Sequence, residues 1–291
     1  MTYLIYWEMS TYIKPLDNAQ YHAHPAISKS HLDQINRSPL HYWSRFIDPN
    51  RTPTQPTPAM ELGTAVHMAV LEPELFLETY TTAPAVSKAT KAGKEAWAAA
   101  EADGKKLLKP EELDQIDRMH QSLLNHPGAR KALKSAGKAE QSIFAVDPAT
   151  GLEMKCRPDY LTDSGWVIDL KTTTDASVES FTKSTANFRY HVQAAWYLHV
   201  IQTATGERPK GFVFLAVEKT TPYAVQVFKA SPELIEVGQQ QAIIDLQRIA
   251  ECKQTYTEDK PWPGYPETAT VLNLPPWVKS PALELPQLTN Y

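Results

Sequence analysis

The sequence predicts an α/β fold in which a mixed central sheet is flanked by helices and an additional helical layer precedes the sheet. Two observations carry this prediction. From Gln141 onward, the short apolar runs SIFAVD, LEMKCRPDYL and WVIDLKT alternate with turn residues, which is typical of three strands in a meander. Before them lie segments rich in alanine, lysine and glutamate, which favour helices. With no internal repeat and no clean linker, residues 1–291 are interpreted as one domain.

The start of the chain is predicted to be an irregular arm over residues 1–20. AISKSHLDQINRSP then predicts a helix with Ser28 or Ser30 as its N-cap. Pro39 separates this helix from the following segment, HYWSRF. The proline- and threonine-rich run NRTPTQPTPA, residues 50–59, predicts a loop, because proline interrupts both helices and central strands.

Helices dominate the next part of the chain and return after the meander. MELGTAVHMAVLEP predicts an apolar helix that ends near Pro73, and two polar helices are expected around 87–103 and 111–125. Further on, RYHVQAAWYLHVIQTA and SPELIEVGQQQAIIDLQRIAECKQ predict helices, and GFVFLAV and YAVQVF predict strands between them. The proline-rich segment 255–291 is expected to be ordered only where its tryptophans dock.

Composition limits the class of protein. A chain of 291 residues that is 42% hydrophobic can bury a sizeable core. No run approaches the roughly 20 apolar residues of a membrane helix, and MTYLIYWEMSTYIKP lacks signal-peptide features, so a cytoplasmic protein without a membrane partner is predicted. Cys156 and Cys252 are too few for a disulfide framework or an iron–sulfur cluster and are predicted to be buried thiols.

The formal net charge of -4 does not indicate a general nucleic-acid binder, so any DNA contact must be local. The best local candidate is the lysine-rich stretch from Lys88 to Lys138. A solvated helix face also explains such a run.

The strand WVIDLKT contains two charges among apolar residues. Side chains alternate along a strand, so Asp169 and Lys171 share one face while Ile168 and Leu170 pack on the other. Asp159, ten residues before Asp169, can lie beside it at the end of the sheet. Two adjacent carboxylates repel unless a divalent cation lies between them, and oxygen ligands favour Mg²⁺ or Mn²⁺. The alternative is a salt bridge at the sheet edge, with Asp159 beginning a turn.

Two further pairs lie four residues apart on predicted helices and therefore on one helix face. Gln193 and Tyr197 form one pair; Gly63 and His67 form the other. The glycine would permit a close backbone approach, and the imidazole offers a metal ligand. A hydrogen-bonded core histidine and an amphipathic helix surface explain the same patterns.

In their order along the chain, these motifs resemble the signature of the PD-(D/E)XK nuclease superfamily. Gly-x-x-x-His is followed by Pro158–Asp159, nine residues, Asp169-x-Lys171 and then Gln-x-x-x-Tyr. The strings ISKSHLDQINRSPLHYW, ELGTAVHMAVLEP, CRPDYL, DLKTT, FRYHVQAAWYL and FVFLAVE resemble the nuclease domain of the RecE (exonuclease VIII) family, which is related to λ exonuclease. The likeness covers about residues 21–280 and implies an α+β restriction-endonuclease-like fold.

The resemblance implies a Mg²⁺-dependent (or Mn²⁺-dependent) exodeoxyribonuclease with one or two ions per active site. Such an enzyme degrades linear double-stranded DNA 5′ to 3′ and leaves 3′ single strands for an annealing protein of RecT type. It also implies a homo-oligomeric ring, a tetramer or trimer. Two alternatives stay open: a structure- or sequence-selective DNA endonuclease on the same scaffold, and a catalytically silent DNA-binding module.

The resemblance also implies roles for particular residues. Asp159 and Asp169 would hold the metal with the Leu170 carbonyl and His67, and Glu140 matches an acidic position of the family or faces solvent. Metal chemistry gives the reason, since a bound cation lowers the pKa of a water molecule and stabilises the charged phosphorane.

Five further positions would act on the water, lie against the active site or contact the substrate. Lys171 would act on the nucleophilic water, and Gln193 and Tyr197 would lie against the active site. Arg37 and Arg45 are candidates for binding the 5′-phosphate or for the surface.

Three aromatic residues, Phe188, Tyr190 and Trp196, could form a wedge that separates DNA strands. Helix core is the favoured interpretation.

Overall fold

The structure is a computed structural model that describes residues 12–14, 16–52 and 55–275. The helices are α1 Asn18–Ala23, α2 Lys29–Arg37, α3 Pro39–Phe46, α4 Pro58–Leu71, α5 Pro73–Thr79, α6 Lys91–Ala102, α7 Pro110–Asn125, α8 Pro127–Leu133, α9 Val178–Asn187, α10 Tyr190–Thr205 and α11 Pro232–Thr255. The strands are β1 Tyr12–Lys14, β2 Tyr80–Thr82, β3 Lys106–Leu108, β4 Gly137–Ala139, β5 Ser142–Val146, β6 Glu153–Cys156, β7 Tyr160–Thr162, β8 Trp166–Thr173, β9 Gly211–Glu218 and β10 Val225–Lys229.

The central sheet has five strands in the order β10-β9-β8-β7-β4. Strands β8 and β9 are parallel, whereas the other neighbours are antiparallel, so the sheet is mixed. Parallel neighbours need a long crossover, which α9 and α10 provide. Helices α1 to α8 precede the strands of this sheet along the chain, and the short β2 and β3 among them form a separate two-stranded parallel sheet. The predicted α/β class, with a mixed sheet flanked by helices and a restriction-endonuclease-like architecture, is confirmed.

The alternation of β8 divides its side chains between two cores. Val167 belongs to a cluster with Trp196 of α10 and with buried residues of α2 and α11. Ile168 and Leu170 belong to a second cluster that includes Met119 of α7 and buried residues of α4. The prediction that Ile168 and Leu170 pack on the face opposite Asp169 is confirmed, and α10 covers the face that carries Asp169.

The prediction of an irregular arm over residues 1–20 is wrong for the part that the structure describes. Strand β1 pairs antiparallel with β5, and α1 begins within the predicted arm. The Asp17 carboxylate caps this helix by accepting the amide hydrogen of Gln20 at 2.7 Å. The pairing with β5 is long-range and leaves no local pattern. Residues 1–11 and 15 lie outside the described residues.

The prediction of three strands in one meander is also wrong in detail. The second predicted strand is split into β6 and β7, because Pro158 has no amide hydrogen with which to continue a strand ladder. Strands β5 and β6 form a three-stranded sheet with β1, while β7 and β8 belong to the central sheet. Strand β4 is only three residues long, which explains why no pattern indicated it.

The predicted helices are present with adjusted ends. The loop predicted for residues 50–59 ends earlier, since Pro58 begins α4, a position where its missing amide hydrogen costs nothing. Beyond α11, Trp262 is 2% exposed and stacks on Tyr42 with ring centroids 5.4 Å apart, so this tryptophan docks as predicted. Trp277 lies outside the described residues.

Both cysteines are buried free thiols, as the sequence predicted. In the ranges that the structure describes, no helix is long and apolar enough to span a membrane.

Candidate metal and active site

Asp159 lies in the short connection between β6 and β7, beside the middle of β8. Its Oδ2 accepts a hydrogen bond from the backbone amide of Leu170 at 2.6 Å. The same oxygen is 3.3 Å from Nδ1 of His67, which α4 supplies from the helical layer. The Gly-x-x-x-His helix and the Pro-Asp motif therefore meet, although His67 and Asp159 are far apart in the sequence.

Glu140 joins these two residues from the end of β4. It has a left-handed backbone conformation, with φ 49°, and its amide donates to the backbone carbonyl of Asp159 at 3.1 Å. Such a conformation in a non-glycine residue costs of order 1 kcal/mol and is common at functional sites. One ligand atom each from His67, Glu140 and Asp159 lies within 4.8 Å of the others. The turn thus aims the carboxylate into the site.

Asp169 lies next to this group on β8 and is fully buried. Its Oδ2 accepts a hydrogen bond from Nε2 of Gln193 at 2.5 Å, and its Oδ1 pairs with the ammonium of Lys171. Burial raises the pKa of Asp169 to about 6 against the opposing effect of Lys171, and Asp159 adds to the rise. Asp169 is therefore held by α10 and by its own strand.

Lys171 remains a cation in this setting. Burial disfavours its charged form, but the carboxylates of Asp169 and Asp159 outweigh burial and raise the pKa of the ammonium group. The Nζ atom also lies 4.8 Å from the centroid of the Tyr190 ring, a cation–π contact. The amine is thus fixed in place and protonated.

Negative charge exceeds positive charge around the three carboxylates. Burial raises the pKa of Glu140 to about 8, and repulsion from Asp159 adds to the rise against the attraction of Arg157. The Nε atom of Arg157 lies 2.8 Å from Oε2 of Glu140. Burial and the neighbouring Asp159 together outweigh the attraction of Arg157, so the ionised form of Glu140 is disfavoured in the absence of a further cation.

The donor set fits a divalent metal ion. One imidazole nitrogen and two carboxylates converge, a combination that suits Mg²⁺ or Mn²⁺ with water completing the shell. The Leu170 amide donates to Asp159, and the amide and carbonyl of one strand residue point to the same side of the strand, so the Leu170 carbonyl is directed to the side of β8 on which Asp159 lies. Asp169 is outside the group of three, since its described contacts are with Lys171 and Gln193.

The remaining predicted residues are distributed differently. Tyr197 shares a helix face with Gln193, and burial raises the pKa of its phenol well above the usual value, with smaller contributions from Tyr21 and Asp169. Arg37 and Arg45 are exposed. In the part of the chain that the structure describes, no hydrogen bond or ion pair joins either guanidinium to a site residue.

Gly63 does not serve the predicted close backbone approach. A Cβ atom at this position would lie 3.7 Å from Oγ1 of Thr172, which is ordinary van der Waals contact with a side chain. Because there is room for an alanine at position 63, α4 can bring His67 to the site without a glycine there.

Sequence reasoning missed Arg157 and Tyr190 as members of the site. Arg157 directly precedes the Pro-Asp motif, and a charged residue there, next to a buried strand, was the available signal. Tyr190 lies three residues before Gln193 and so falls on the same helix face. The contact of each with the site depends on tertiary packing.

Fold and site together define a protein of the PD-(D/E)XK nuclease superfamily. A family described as "PDDEXK-like domain of unknown function (DUF3799)" matches residues 28–274. The chain belongs to this family.

Two solved structures resemble the chain at low sequence identity. A proposed exonuclease from Eubacterium rectale is 11% identical, with a TM-score of 0.57 over 83% of this chain and 87% of that one. The likeness supports the fold. The structure of SSO0001 is 12% identical over 53% of this chain and 64% of that one, and its TM-score of 0.27 carries no argument. No curated protein shows significant similarity to the chain.

Proposed function

We propose that the protein is a Mg²⁺-dependent exodeoxyribonuclease that degrades linear double-stranded DNA, 5′ to 3′, and leaves 3′ single strands for recombination by annealing. One observation carries the proposal: ligand atoms of His67, Glu140 and Asp159 lie within 4.8 Å of one another, beside the Asp169–Lys171 pair. The similarity in fold to a proposed exonuclease agrees with it.

Asp159, Glu140 and His67 would hold the ion, with Asp169 and the Leu170 carbonyl alongside. When bound, a divalent cation supplies Lewis-acid stabilisation of the phosphate and a water of lowered pKa. The Leu170 amide fixes the carboxylate of Asp159 at 2.6 Å. Gln193 does the same for Asp169 at 2.5 Å. These bonds orient both carboxylates before substrate arrives.

Lys171 acts as a fixed positive charge. Because the neighbouring carboxylates keep its ammonium protonated, it donates hydrogen bonds and does not remove a proton in this state. A cation at this position stabilises negative charge that develops on the phosphate oxygens. Burial raises the pKa of the Tyr197 phenol, which therefore stays neutral on the face of α10 that carries Gln193.

The assembly and partners follow from the RecE resemblance. The enzyme would form a homo-oligomeric ring, a tetramer or trimer, that encloses duplex DNA, and it would act in the cytoplasm with an annealing protein of RecT type. A ring that encloses its substrate needs less phosphate affinity than an open groove, which agrees with the net charge of -4. Arg37 and Arg45 stay candidates for contacts with the 5′-phosphate.

The test is digestion of linear duplex DNA, labelled at either the 5′ or the 3′ end, by the native protein and by Asp169→Ala with Mg²⁺. We expect the native protein to release mononucleotides from the 5′ end first and the variant to release none. Equal cutting by both proteins, or cutting by neither with any divalent metal, would overturn the assignment.

Closed circular duplex DNA distinguishes the exonuclease from an endonuclease on the same scaffold. An enzyme that needs ends leaves circles intact and degrades them after linearisation. Cutting of intact circles would favour the endonuclease, and tight binding without cutting would favour a silent module.

A further inference from the structure

Two aromatic rings lead outward from the buried lysine of the site. The ring of Tyr190 is 4.8 Å from Nζ of Lys171, and the ring of Phe188 stacks on Tyr190 with centroids 5.6 Å apart and planes 28° apart. Phe188 is 59% exposed. We call these two rings the aromatic step. It connects the candidate catalytic lysine to the protein surface.

The sequence favoured helix core for the aromatic residues of this segment. That prediction is confirmed for Trp196, which is 1% exposed and donates its indole hydrogen to the carbonyl of Lys155 at 3.0 Å. It is wrong for Phe188, which lies on the turn between α9 and α10. Its ring stacks on Tyr190, and with 59% of the residue exposed the ring is open to a ligand from solvent.

The turn that carries Phe188 is held firmly. Nζ of Lys29 donates to the Phe188 carbonyl at 2.7 Å, and the Phe188 amide donates to the backbone carbonyl of Ser184 at 2.9 Å. The next residue, Arg189, has φ 53° and donates to the carbonyl of Leu32 at 3.2 Å. Bonds from α2, α9 and Arg189 thus fix the backbone, and the ring is presented on a rigid support.

Two lysines lie beside the aromatic step: Nζ of Lys171 is 4.8 Å from the Tyr190 ring, and Nζ of Lys29 donates to the Phe188 carbonyl. Burial lowers the pKa of Lys29, and the charges of Lys171 and Arg189 contribute to the lowering, which means that these cations lie close together. Asp33, Asp169 and Asp245 pair with these cations, so positive groups lie close to the rings without an excess of positive charge. Aromatic rings beside cations are typical of surfaces on which bases of single-stranded nucleic acid stack while the backbone follows the charges.

We propose that Phe188 is a stacking platform for a nucleobase of the DNA strand whose end lies at the active site, with Tyr190 supporting it from below. The inference rests on the proposed function and deepens it. The unpaired base next to the reacting phosphate would be held by its face, which every base possesses, so digestion would not depend on sequence.

The test measures coupling between the ring and the base. Native protein and Phe188→Ala are compared on duplexes that carry an abasic analogue at successive positions from the digested end. We expect the native protein to show a KM roughly tenfold higher for at least one abasic substrate. Phe188→Ala should raise KM for the normal substrate by a similar factor and lose the difference between the two substrates.

Three variants separate stacking from other roles of the side chain. Phe188→Trp should keep the preference for the base, and Phe188→Leu, which is apolar but has no aromatic face, should lose it. Tyr265→Ala is the matched control, since this tyrosine is 67% exposed and contacts His41 far along the chain from the site. It should behave as the native protein.

A second measurement does not require cleavage. A single strand with 2-aminopurine near its end is titrated with protein without metal, and stacking on Phe188 should quench its fluorescence in the native protein and not in Phe188→Ala. If native protein cuts DNA and the two proteins show equal substrate preference and equal quenching, the platform is overturned and the nuclease stands. If no DNA is cut but quenching depends on Phe188, only the nuclease fails; absence of both overturns both.

Discussion

Two groups of partly or fully buried charged residues contact the start of α10, and they differ in the balance of positive and negative charge. The first, the acidic cluster, contains Glu140, Asp159 and Asp169, with Arg157 and Lys171 as its cations. It also contains His67. Three carboxylates face two cations, and the pKa of Glu140 is raised to about 8.

The second group, the Arg189 cluster, joins α2, α10 and α11. Arg189 donates to Asp245 at 2.5 Å and to Asp33 at 3.2 Å, and Asn36 donates to Asp245 at 3.3 Å. Lys29 pairs with Asp33 at 2.7 Å. Two carboxylates meet two cations, and side chains or carbonyls supply the remaining hydrogen bonds.

The difference in charge balance bears on the role of each cluster. A buried ion network with balanced charge and satisfied hydrogen bonds holds elements together. A buried network with excess negative charge is unfavourable by itself and becomes favourable when a cation binds. The contrast agrees with a structural role for the Arg189 cluster and with the metal site proposed for the acidic cluster.

The largest expected effect comes from removing one carboxylate of the acidic cluster. Asp159→Asn can still accept the Leu170 amide and loses repulsion from Glu140, so the unfolding temperature without metal should stay equal or rise. Nuclease activity should fall by at least about 1,000-fold, the scale of losing a key electrostatic group. Mg²⁺ should no longer raise the unfolding temperature. Asp114→Asn, a change on the surface, is the control; a large loss of stability in Asp159→Asn would contradict the comparison.

The Arg189 cluster should show the opposite response. Arg189→Met leaves the carboxylate of Asp245, whose side chain is 3% exposed, without its main partner. We expect denaturant unfolding to show a loss of about 3–5 kcal/mol, as for other broken buried pairs. Arg118→Met, whose side chain is 58% exposed, should cause no measurable change. Unchanged stability in Arg189→Met would mean that the cluster does not hold α10 and α11 to α2.

The dependence of stability on pH sharpens the contrast further. The pKa of Glu140 is raised from 4.5 to about 8 on folding, so the folded state binds a proton that the unfolded state releases. The free energy of unfolding without metal should therefore fall with rising pH over this window, by up to about 1.4 kcal/mol per pH unit from this one group.

The pKa of Asp169 is about 6, so above that pH Asp169 no longer contributes to the change of unfolding free energy with pH. Of these two groups, only Glu140 contributes there. Glu140→Gln should flatten the slope between about pH 6 and about pH 8, measured by denaturant titration at several pH values. Stabilisation by Mg²⁺ should grow over the same window in the native protein, because the metal competes with the proton. If the free energy of unfolding of Glu140→Gln still falls with pH over this window, other titrating groups cause the pH dependence.

The smallest expected effect comes from replacing a glycine near each cluster by alanine, which tests how tightly the backbone is packed there. A Cβ at Gly238 of α11 would lie 2.1 Å from the backbone oxygen of His191, next to the Arg189 cluster, whereas at Gly63 the nearest atom is 3.7 Å away. Gly238→Ala must separate α10 from α11 and should cost about 1–3 kcal/mol in denaturant unfolding. Gly63→Ala should be neutral or stabilising by up to about 1 kcal/mol. Equal effects would show that the helices do not differ in tightness.

Part of the site could be predicted from local periodicity. Alternation along β8 put Asp169 and Lys171 on one face, and helical spacing put Gln193 and Tyr197 together. The hydrogen bond between Gln193 and Asp169 agrees with this. The predicted roles of these residues are still predictions.

Other parts gave no local signal. Strand β4 is too short to show a pattern, so the turn that aims Glu140 at Asp159 was not predicted. The pairing of β1 with β5 joins segments about 130 residues apart, so no local pattern indicated that β5 and β6 belong to a separate sheet. The outward position of Phe188 depends on the bond from Lys29, which lies 159 residues away in sequence.

By itself, the sequence determined which residue types the chain carries and which of them share a face within one strand or helix, because side-chain direction repeats with a fixed local period. Only the tertiary structure decided that His67, Glu140 and Asp159 meet, that Arg189 has balanced partners and that Phe188 faces solvent. These contacts join elements far apart in the chain, and packing of two apolar cores against the sheet sets their distances.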